Sequence, residues 1–326
     1  MSPARKIAAI VNPRAGGGKA GKRWPELENL LVRRLGSLET RFTEYGGHGM
    51  ILARQLLQRG FDRIIVAGGD GAAHEAANGF LEDDQPIRPG ACLGVLPMGT
   101  GQDFLRTLGI GNIRDAVEIL AAGVPLRIDV GKAQFRGHGG GRQTRYFLNL
   151  LSFGMGGEVA SRAINFLSPL GGTVSYLYAS AVSLLRYQRK QVRLTLDTAE
   201  APLSLAIHNV AVGNGRFHGG GMQACPTAIP TDGVFEVTVI DYLGLWEAVR
   251  DFPILYSDNV YRHPKVRHLR ARNIVAEAEQ PVRIEIDGEP LGTLPLEITA
   301  LPQRLPVLVS PASPLLAARR PAPTES

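Results

Sequence analysis

The chain has 326 residues, a net charge of +6 and a hydrophobic content of 44%, which is enough for two domains of ordinary size, each with an apolar core. It has no apolar run of about eighteen residues and no signal-peptide pattern near its start, so neither a transmembrane helix nor secretion is expected. Its two cysteines, Cys92 and Cys225, lack the spacing of a metal site, so we expect reduced thiols in a cytoplasmic protein.

Residues 1–126 alternate apolar runs with amphipathic segments. The predicted strands are Ile7–Val11, Glu39–Thr43, Arg63–Ala67 and Cys92–Leu96. Apolar residues at helical spacing predict helices around Leu27, Leu52 and Leu120, and another over His74–Leu81. This alternation predicts an α/β domain with an open, mostly parallel sheet, in which ligands bind beyond the carboxyl ends of the strands.

Residues 127–302 have a different pattern, with short β-rich runs separated by turn residues. The predicted strands are Arg127–Gln134, Arg145–Leu151, Gln191–Asp197, Leu203–Val212, Val234–Ile240, Val282–Asp287 and Leu296–Ala300. They indicate an antiparallel β-sandwich, with one helix around Tyr178 and another near Leu245–Val249. We expect residues 303–318 to return to the first domain, a cleft to separate the two domains, and residues 319–326 to form a disordered tail.

Glycine-rich segments follow the predicted strands of the first domain. Gly68-Gly69-Asp70-Gly71 follows one strand and precedes a helix, and Gly99-Thr100-Gly101 follows another. Glycines allow a tight turn whose N–H groups approach a ligand, and a helix N-terminus favours a phosphate. Because the Asp70 carboxylate would repel that phosphate unless a cation lay between them, the pattern suggests magnesium-nucleotide chemistry.

A third glycine segment and an acidic turn complete the set. Asn12-Pro13-Arg14 and Gly16-Gly17-Gly18 follow the first strand but do not form a Walker A loop, because Ala20 stands where that loop needs Ser or Thr. Near the end of the chain a predicted strand runs into Asp287-Gly288-Glu289. Taken alone, that segment indicates an acidic hairpin turn.

In combination these segments resemble the diacylglycerol kinase catalytic family, which includes bacterial lipid kinases, sphingosine kinases and ceramide kinases. The resemblance covers roughly Lys6 to Leu308 and adds Asp129-Val130-Gly131, Asn149, Phe153-Gly154, Pro226 and Asp232-Gly233 to the motifs above. It implies a first domain similar to that of NAD kinases and phosphofructokinases, with ATP and Mg²⁺ as cofactors. It also implies transfer of the ATP γ-phosphate to a lipid hydroxyl, with diacylglycerol as the expected acceptor and phosphatidic acid as the product.

The resemblance also implies a role for each matching residue. Asp287 would be the general base, with Glu289 beside it and Asp70 as a further catalytic carboxylate. The expected nucleotide-binding residues are Asn12, Thr43, Gly68, Gly69, Gly71, Glu75, Gly99, Thr100 and Gly101. Asp70, Asp103 and Asp129 would form an acidic network around the catalytic Mg²⁺. A second, structural Mg²⁺ would be held by the Asp232 carboxylate and the carbonyls of Ile229 and Val234, an all-oxygen set that suits this ion.

Three departures from the bacterial pattern leave the acceptor open. Ala72 replaces a usual Thr, His74 a usual Asn, and Gln102 a usual Asn. Sphingosine, ceramide or another lipid alcohol is therefore also compatible with the sequence as the acceptor. A soluble-substrate kinase of the NAD kinase type and a non-catalytic nucleotide-binding regulator are also compatible with the sequence.

Two basic runs suggest how such a protein would reach its lipid. One spans Arg186–Arg193 and the other Arg262–Arg272. They predict peripheral attachment to acidic membranes rather than nucleic-acid binding, because no RNA-binding aromatic signature or zinc-finger spacing accompanies them. The sequence also leaves open a homodimer.

Overall fold

The computed structural model describes residues 6–165, 172–197 and 201–318. The chain forms two compact units. Unit 1 comprises the described residues of Met1–Val130 and Leu301–Ser326, and unit 2 those of Gly131–Ala300. The predicted tail, residues 319–326, lies outside the described residues.

Unit 1 is an α/β structure built on a parallel sheet. Its elements are β1 (Ile7–Val11), α1 (Lys19–Leu35), β2 (Glu39–Phe42), α2 (His48–Gln58), β3 (Arg63–Gly68), α3 (Asp70–Phe80), β4 (Leu81–Glu82), β5 (Gln85–Pro86), β6 (Cys92–Pro97), α4 (Asp103–Leu108) and α5 (Ile113–Ala122). The strand order is β6-β3-β1-β2, and all neighbours are parallel. Every residue of β1, β3 and β6 is buried, as is typical of parallel strands covered by helices on both faces.

Unit 2 is mainly antiparallel β-structure. Its elements are β7 (Val124–Gly137), β8 (Arg142–Phe147), β9 (Leu150–Gly154), α6 (Met155–Asn165), α7 (Gly172–Arg186), β10 (Lys190–Leu196), β11 (Leu203–Gly213), β12 (Phe235–Asp241), α8 (Leu245–Asp251), β13 (Val266–Ala271), β14 (Asn273–Glu277), β15 (Arg283–Ile286) and β16 (Glu289–Val309). Among the described residues, unit 2 has 3₁₀ segments at Phe252–Tyr256 and Val260–Arg262, and unit 1 has one at Pro314–Leu316. The strands enclose an apolar core that includes Phe135, Phe147, Phe153 and Phe235.

Two strands, β7 and β16, each begin in one unit and end in the other. In unit 1, β16 pairs in parallel with β6, with Val307 opposite Leu93. The first domain was predicted to end at residue 126, but the structural boundary falls after Val130. That boundary lies inside one continuous strand, residues 124–137, so no break in the sequence pattern marks it.

The predicted fold class is confirmed: an α/β unit with a parallel sheet and an antiparallel β-rich unit. Three local predictions were wrong. The helix after the Gly68 segment begins at Asp70 rather than His74. The predicted strand Arg145–Leu151 is two strands, because the N–H groups at its centre bind a carboxylate instead of a neighbouring strand. Helix α6 was not predicted at all, since its first residues, Met155-Gly156-Gly157, have the composition of a turn.

Candidate active site

The two glycine loops of unit 1 meet at backbone distance. The Gly69 N-cap precedes α3, and Gly99 follows β6. A β-carbon added to Gly99 would lie 2.5 Å from the backbone nitrogen of Gly69, and one added to Gly69 would lie 2.9 Å from the Gly101 carbonyl oxygen. Side chains at these positions would therefore push the loops apart. The other residues predicted from these loops are placed as follows. Gly71 is the second residue of α3, and Gly68 packs against Ala72. Thr100 is exposed at the tip of its loop.

The Asp70 carboxylate joins these loops. Its Oδ2 accepts the N–H of Asp103 at 2.8 Å, and its Oδ1 accepts the N–H of Phe104 at 3.2 Å. These donors are the first residues of α4, where a carboxylate satisfies N–H groups that have no partner within the helix. The Gln102 side chain, which departs from the bacterial pattern, donates to the Gly99 carbonyl at 3.3 Å and so helps to hold the same loop.

A polar pocket of about 120 Å³ lies beside the N-termini of α2 and α3. Its lining includes three of the predicted nucleotide-binding residues, Asn12, Thr43 and Glu75. Glu75 is fixed there because its two carboxylate oxygens accept the N–H groups of Gly47 and Gly49 at 2.8 and 2.9 Å. The pocket also includes Tyr45, whose ring stacks on His48 with centroids 4.5 Å apart. An aromatic ring at the edge of a pocket offers a surface on which a planar group can stack.

In unit 2, Asp287 occupies the turn between β15 and β16. Asp287 and Gly288 both have positive φ, 47° and 92°, which is the type I′ geometry that favours Asp-Gly in two-residue hairpins. The carboxylate accepts three backbone N–H groups, those of Leu148, Asn149 and Leu150, at 2.8 to 3.0 Å. Glu289 is the first residue of β16, directly after the turn. Asp287 is therefore held in a single orientation by the segment between β8 and β9.

Glu285 supports this turn from two residues upstream. Its side chain is fully buried, accepts the Gly288 N–H at 2.6 Å and accepts the Ser152 hydroxyl at 2.7 Å. His218 Nε2 lies 3.4 Å from the same carboxylate. Sequence reasoning missed Glu285 because its position inside a strand predicts only alternate burial. The sign of it in the sequence was an acidic residue at a strand position whose side chain faces inward in the structure.

The three carboxylates predicted to surround the catalytic Mg²⁺ have separate protein partners. Asp70 binds the start of α4, Asp103 pairs with Arg106 at 2.8 Å, and Asp129 accepts the N–H of Gln303 at 2.8 Å. Among the described residues no three acidic, His or Cys side chains come together in a metal-binding group. A magnesium-nucleotide needs only one or two carboxylates, because phosphates and water supply its other ligands. Asp70, at the junction of the loops, fits that requirement.

The predicted structural Mg²⁺ does not fit the residues at its site. Arg270 donates to the Asp232 carboxylate and lies 3.0 Å from Glu236, which also binds His268. The side chains of Asp232 and Glu236 are only 6% and 5% exposed. The Ile229 carbonyl accepts the N–H of Thr231 at 2.8 Å, and the Val234 N–H donates to Asp232 at 3.1 Å. A guanidinium thus supplies the positive charge that the metal was expected to bring.

This arrangement predicts how the fold responds to metal removal. Chelation of divalent cations is expected to leave the unfolding temperature of the native chain unchanged. Arg270→Gln should lower the free energy of unfolding by about 1–3 kcal/mol, because it leaves the buried Asp232 carboxylate without its cation and Glu236 with His268 alone. Millimolar Mg²⁺ should restore part of that lost stability. Arg193→Gln is the matched control, since Arg193 pairs with Glu277 on the exposed surface. A large fall in the native unfolding temperature on chelation would contradict this assignment.

Unit 2 also has an apolar cavity of about 130 Å³, which is partly open at the surface. Its walls come from α6, α7, β11, β12, α8 and the 3₁₀ turn after α8, and they include Val159, Leu184, Ala211, Ile240, Leu243, Ala248, Ile254, Leu255 and Val260. His218, which contacts Glu285, is part of the same lining. The cavity therefore lies one side chain away from the residues that hold the Asp287 turn.

His208 is the most perturbed histidine in this lining. It is 7% exposed, and burial lowers its pKa to about 4. Its Nδ1 has no hydrogen-bond partner among the described residues. In the unfolded chain, a histidine with an ordinary pKa near 6.5 binds a proton between pH 6.5 and 4, whereas the folded protein does not, so stability falls as the pH decreases through that range.

We therefore expect acidification from pH 7 to pH 5 to cost up to about 2 kcal/mol of unfolding free energy through this residue. In His208→Leu that part of the pH dependence should disappear. The exposed His138 provides the matched control, and His138→Leu should leave the dependence intact. Denaturant unfolding at a series of pH values measures the pH dependence of stability in both variants. Equal pH slopes in the native and His208→Leu proteins would show that His208 does not carry the effect.

Comparison with known proteins shows the family to which the chain belongs. Residues 6–133 match the family model of the diacylglycerol kinase catalytic domain, and residues 149–309 match that of the YegS C-terminal NAD kinase beta sandwich-like domain. A probable lipid kinase YegS-like from Chromohalobacter salexigens is 30% identical over 274 residues, which cover 82% of this chain and 83% of that protein. A diacylglycerol kinase from Mycobacterium tuberculosis is 30% identical over 312 residues, or 93% and 94% of the two chains.

Solved structures show the same relationship. A diacylglycerol kinase from Bacillus anthracis superposes with a TM-score of 0.69 and 26% identity, and the match covers 96% of this chain and all of the other. A yeast NADH kinase shares the fold alone, with a TM-score of 0.52 and 12% identity over 97% of this chain and 86% of that one. The chain therefore belongs to the diacylglycerol kinase catalytic-domain family of lipid kinases.

Proposed function

We propose that this protein transfers the γ-phosphate of ATP to the free hydroxyl of diacylglycerol and forms phosphatidic acid. The observation that carries the proposal is the apolar cavity of unit 2, which has room for a short stretch of an acyl chain and is linked through His218 and Glu285 to the Asp287 turn. The names of the relatives, several of which are diacylglycerol kinases, support the same acceptor.

The polar groups of the cavity favour a neutral lipid over an amino lipid. A sphingoid base would bring an ammonium group, which needs a carboxylate partner when it leaves water. The acidic residue that lines the cavity, Asp251, is already paired with Arg250 at 2.6 Å and with His263 at 3.1 Å. The neutral ring of His208, whose Nδ1 is unpaired, can instead bind a hydroxyl or an ester oxygen.

The roles of the two units follow from their residues. In unit 1, the glycine loops would bind the phosphates, while the pocket lined by Asn12, Thr43 and Glu75 would take the remainder of the nucleotide. Mg²⁺, with Asp70 among its ligands, would neutralise phosphate charge. In unit 2, Asp287 would accept the proton of the lipid hydroxyl, because an alcohol is a poor nucleophile until a base removes that proton.

An acceptor panel tests the proposal. ATP labelled in its γ-phosphate is incubated with the protein, Mg²⁺ and mixed micelles that contain diacylglycerol, monoacylglycerol, sphingosine, ceramide or phosphatidylglycerol, with NAD as a soluble control. We expect labelled product chiefly from diacylglycerol. Preferential labelling of sphingosine or ceramide would overturn the acceptor assignment and leave the lipid kinase class intact, whereas labelling of NAD alone would overturn the proposed lipid acceptor altogether.

A further inference from the structure

Helix α8 and the 3₁₀ turn that follows it form a segment, Leu245–Tyr256, with two apolar faces. We refer to it as the α8 segment. Its inner face contributes Ala248 and Leu255 to the wall of the apolar cavity. Its outer face carries the large apolar side chains of Leu245, Trp246, Val249 and Tyr256, with exposed fractions of 40%, 83%, 51% and 49%. Phe252, which is 38% exposed, lies between the two faces because it also lines the cavity. Folding of the chain alone does not account for this outer face, because it leaves these side chains in water.

The charges of the α8 segment limit the kind of partner. Glu247 is neutralised by Lys265 at 2.7 Å and Asp251 by Arg250 and His263, so the outer face presents no unpaired acid. Arg250 has a side chain that is 72% exposed. An apolar face that carries a Trp and a Tyr, and whose charged neighbours are paired with one another, has the composition that favours a lipid–water interface.

The second basic run contributes less than the sequence suggested. Three of the five Lys and Arg residues of this run, Lys265, Arg267 and Arg270, pair with the carboxylates of Glu247, Asp241 and Asp232. Paired cations add little attraction to an acidic membrane, because the net charge they present is close to zero. The apolar face of the α8 segment is therefore the stronger candidate for membrane attachment.

We propose that the outer face of the α8 segment docks on the surface of a lipid bilayer, with Trp246 inserted at the level of the headgroups. The segment is at once the wall of the cavity and the docking face, so a lipid that leaves the bilayer here would have only the thickness of one helix to pass. This inference rests on the proposed function, in which the substrate is a membrane lipid. Because the attraction comes mainly from the apolar face, binding should persist on neutral lipid and at high salt.

The two tryptophans of the chain make the test direct. Trp24 is buried in unit 1, with 1% exposed, whereas Trp246 is 83% exposed. Without ATP, neutral phosphatidylcholine vesicles should shift the emission of the native protein to the blue, and vesicles of brominated phosphatidylcholine should quench it. Trp246→Phe should abolish both signals, while Trp24→Phe should keep them.

Introducing a charge on the face tests binding itself. Val249→Glu should weaken sedimentation with phosphatidylcholine vesicles at least tenfold. The matched control is Val32→Glu, which places the same change on an exposed position of α1 and should bind like the native protein. Phosphorylation of a short-chain diacylglycerol below its micelle concentration should be equal in all three proteins, which shows that Val249→Glu folds.

The outcomes separate this proposal from the proposed function. An unshifted Trp246 emission, or equal vesicle binding by the native and Val249→Glu proteins, would overturn docking whatever lipid the enzyme phosphorylates. Conversion of a native dimer to a monomer by Val249→Glu, without vesicle binding by either, would assign the face to a second copy of the chain. Vesicle binding through Trp246 with no product from any lipid would leave docking intact and overturn the kinase proposal.

Discussion

Asp287→Asn is expected to lower the rate of phosphoryl transfer by about 10²–10⁴-fold, the range for loss of a general base. The amide keeps the size of the carboxylate but is a far weaker base. ATP affinity should change little, since the proposed nucleotide-binding residues all lie in unit 1. Steady-state kinetics and ATP binding by calorimetry measure the two effects separately.

A matched control for this change is present in the same unit. Asp197 also has a positive φ, 47°, and its Oδ1 accepts two backbone N–H groups, those of Arg272 and Asn273, at 2.9 Å. Asp197→Asn keeps both bonds on its amide oxygen, so it controls for the loss of a carboxylate charge at a positive-φ turn without the loss of a base. If both variants lost activity to the same degree, or if Asp287→Asn retained near-native turnover, Asp287 would not be the base.

Gly99→Ala is expected to abolish tight ATP binding, with at least a tenfold loss of affinity, and to lower the free energy of unfolding by about 1–3 kcal/mol. The added methyl group would meet the backbone of Gly69, which cannot move without shifting Asp70 and the start of α4. The substitution is therefore expected to lower ATP affinity and the stability of unit 1 together.

Gly139→Ala supplies the comparison for that experiment, because no described atom beyond its chain neighbours lies within 4 Å of a β-carbon at Gly139 and its backbone does not adopt a positive φ. It should leave both ATP affinity and stability within error of the native values. Native-like ATP binding by Gly99→Ala would show that the close contact of the two loops is not needed for the nucleotide.

The features that could be predicted from sequence are those with a local cause. Buried parallel strands such as Ile7–Val11 are continuous apolar runs, and the Asp287-Gly288 pair specifies a type I′ turn by itself. The position of the glycine loops after strands was predictable for the same reason. The roles assigned to Asp287, Asp70 and their neighbours remain predictions, because they concern chemistry with a nucleotide and a lipid.

The features that could not be predicted depend on contacts between distant residues. Arg270 reaches Asp232 across 38 positions of the chain, and the N–H of Leu148 reaches Asp287 across 139. No local pattern reveals such pairs, so neither the guanidinium beside Asp232 nor the carboxylate that separates two strands was foreseen. Exposure is equally non-local: the spacing of Trp246 and Val249 predicts a helix but not which side of it faces water.

The most direct test of the lipid kinase assignment is to follow both products of one reaction by mass spectrometry. Dioleoylglycerol in mixed micelles is incubated with ATP, Mg²⁺ and the native protein, and ADP and phosphatidic acid are quantified over time. We predict equal molar amounts of the two products, and neither above background with Asp287→Asn. ADP without phosphatidic acid, or no turnover by a native protein that still binds ATP, would contradict the assignment of diacylglycerol as the acceptor.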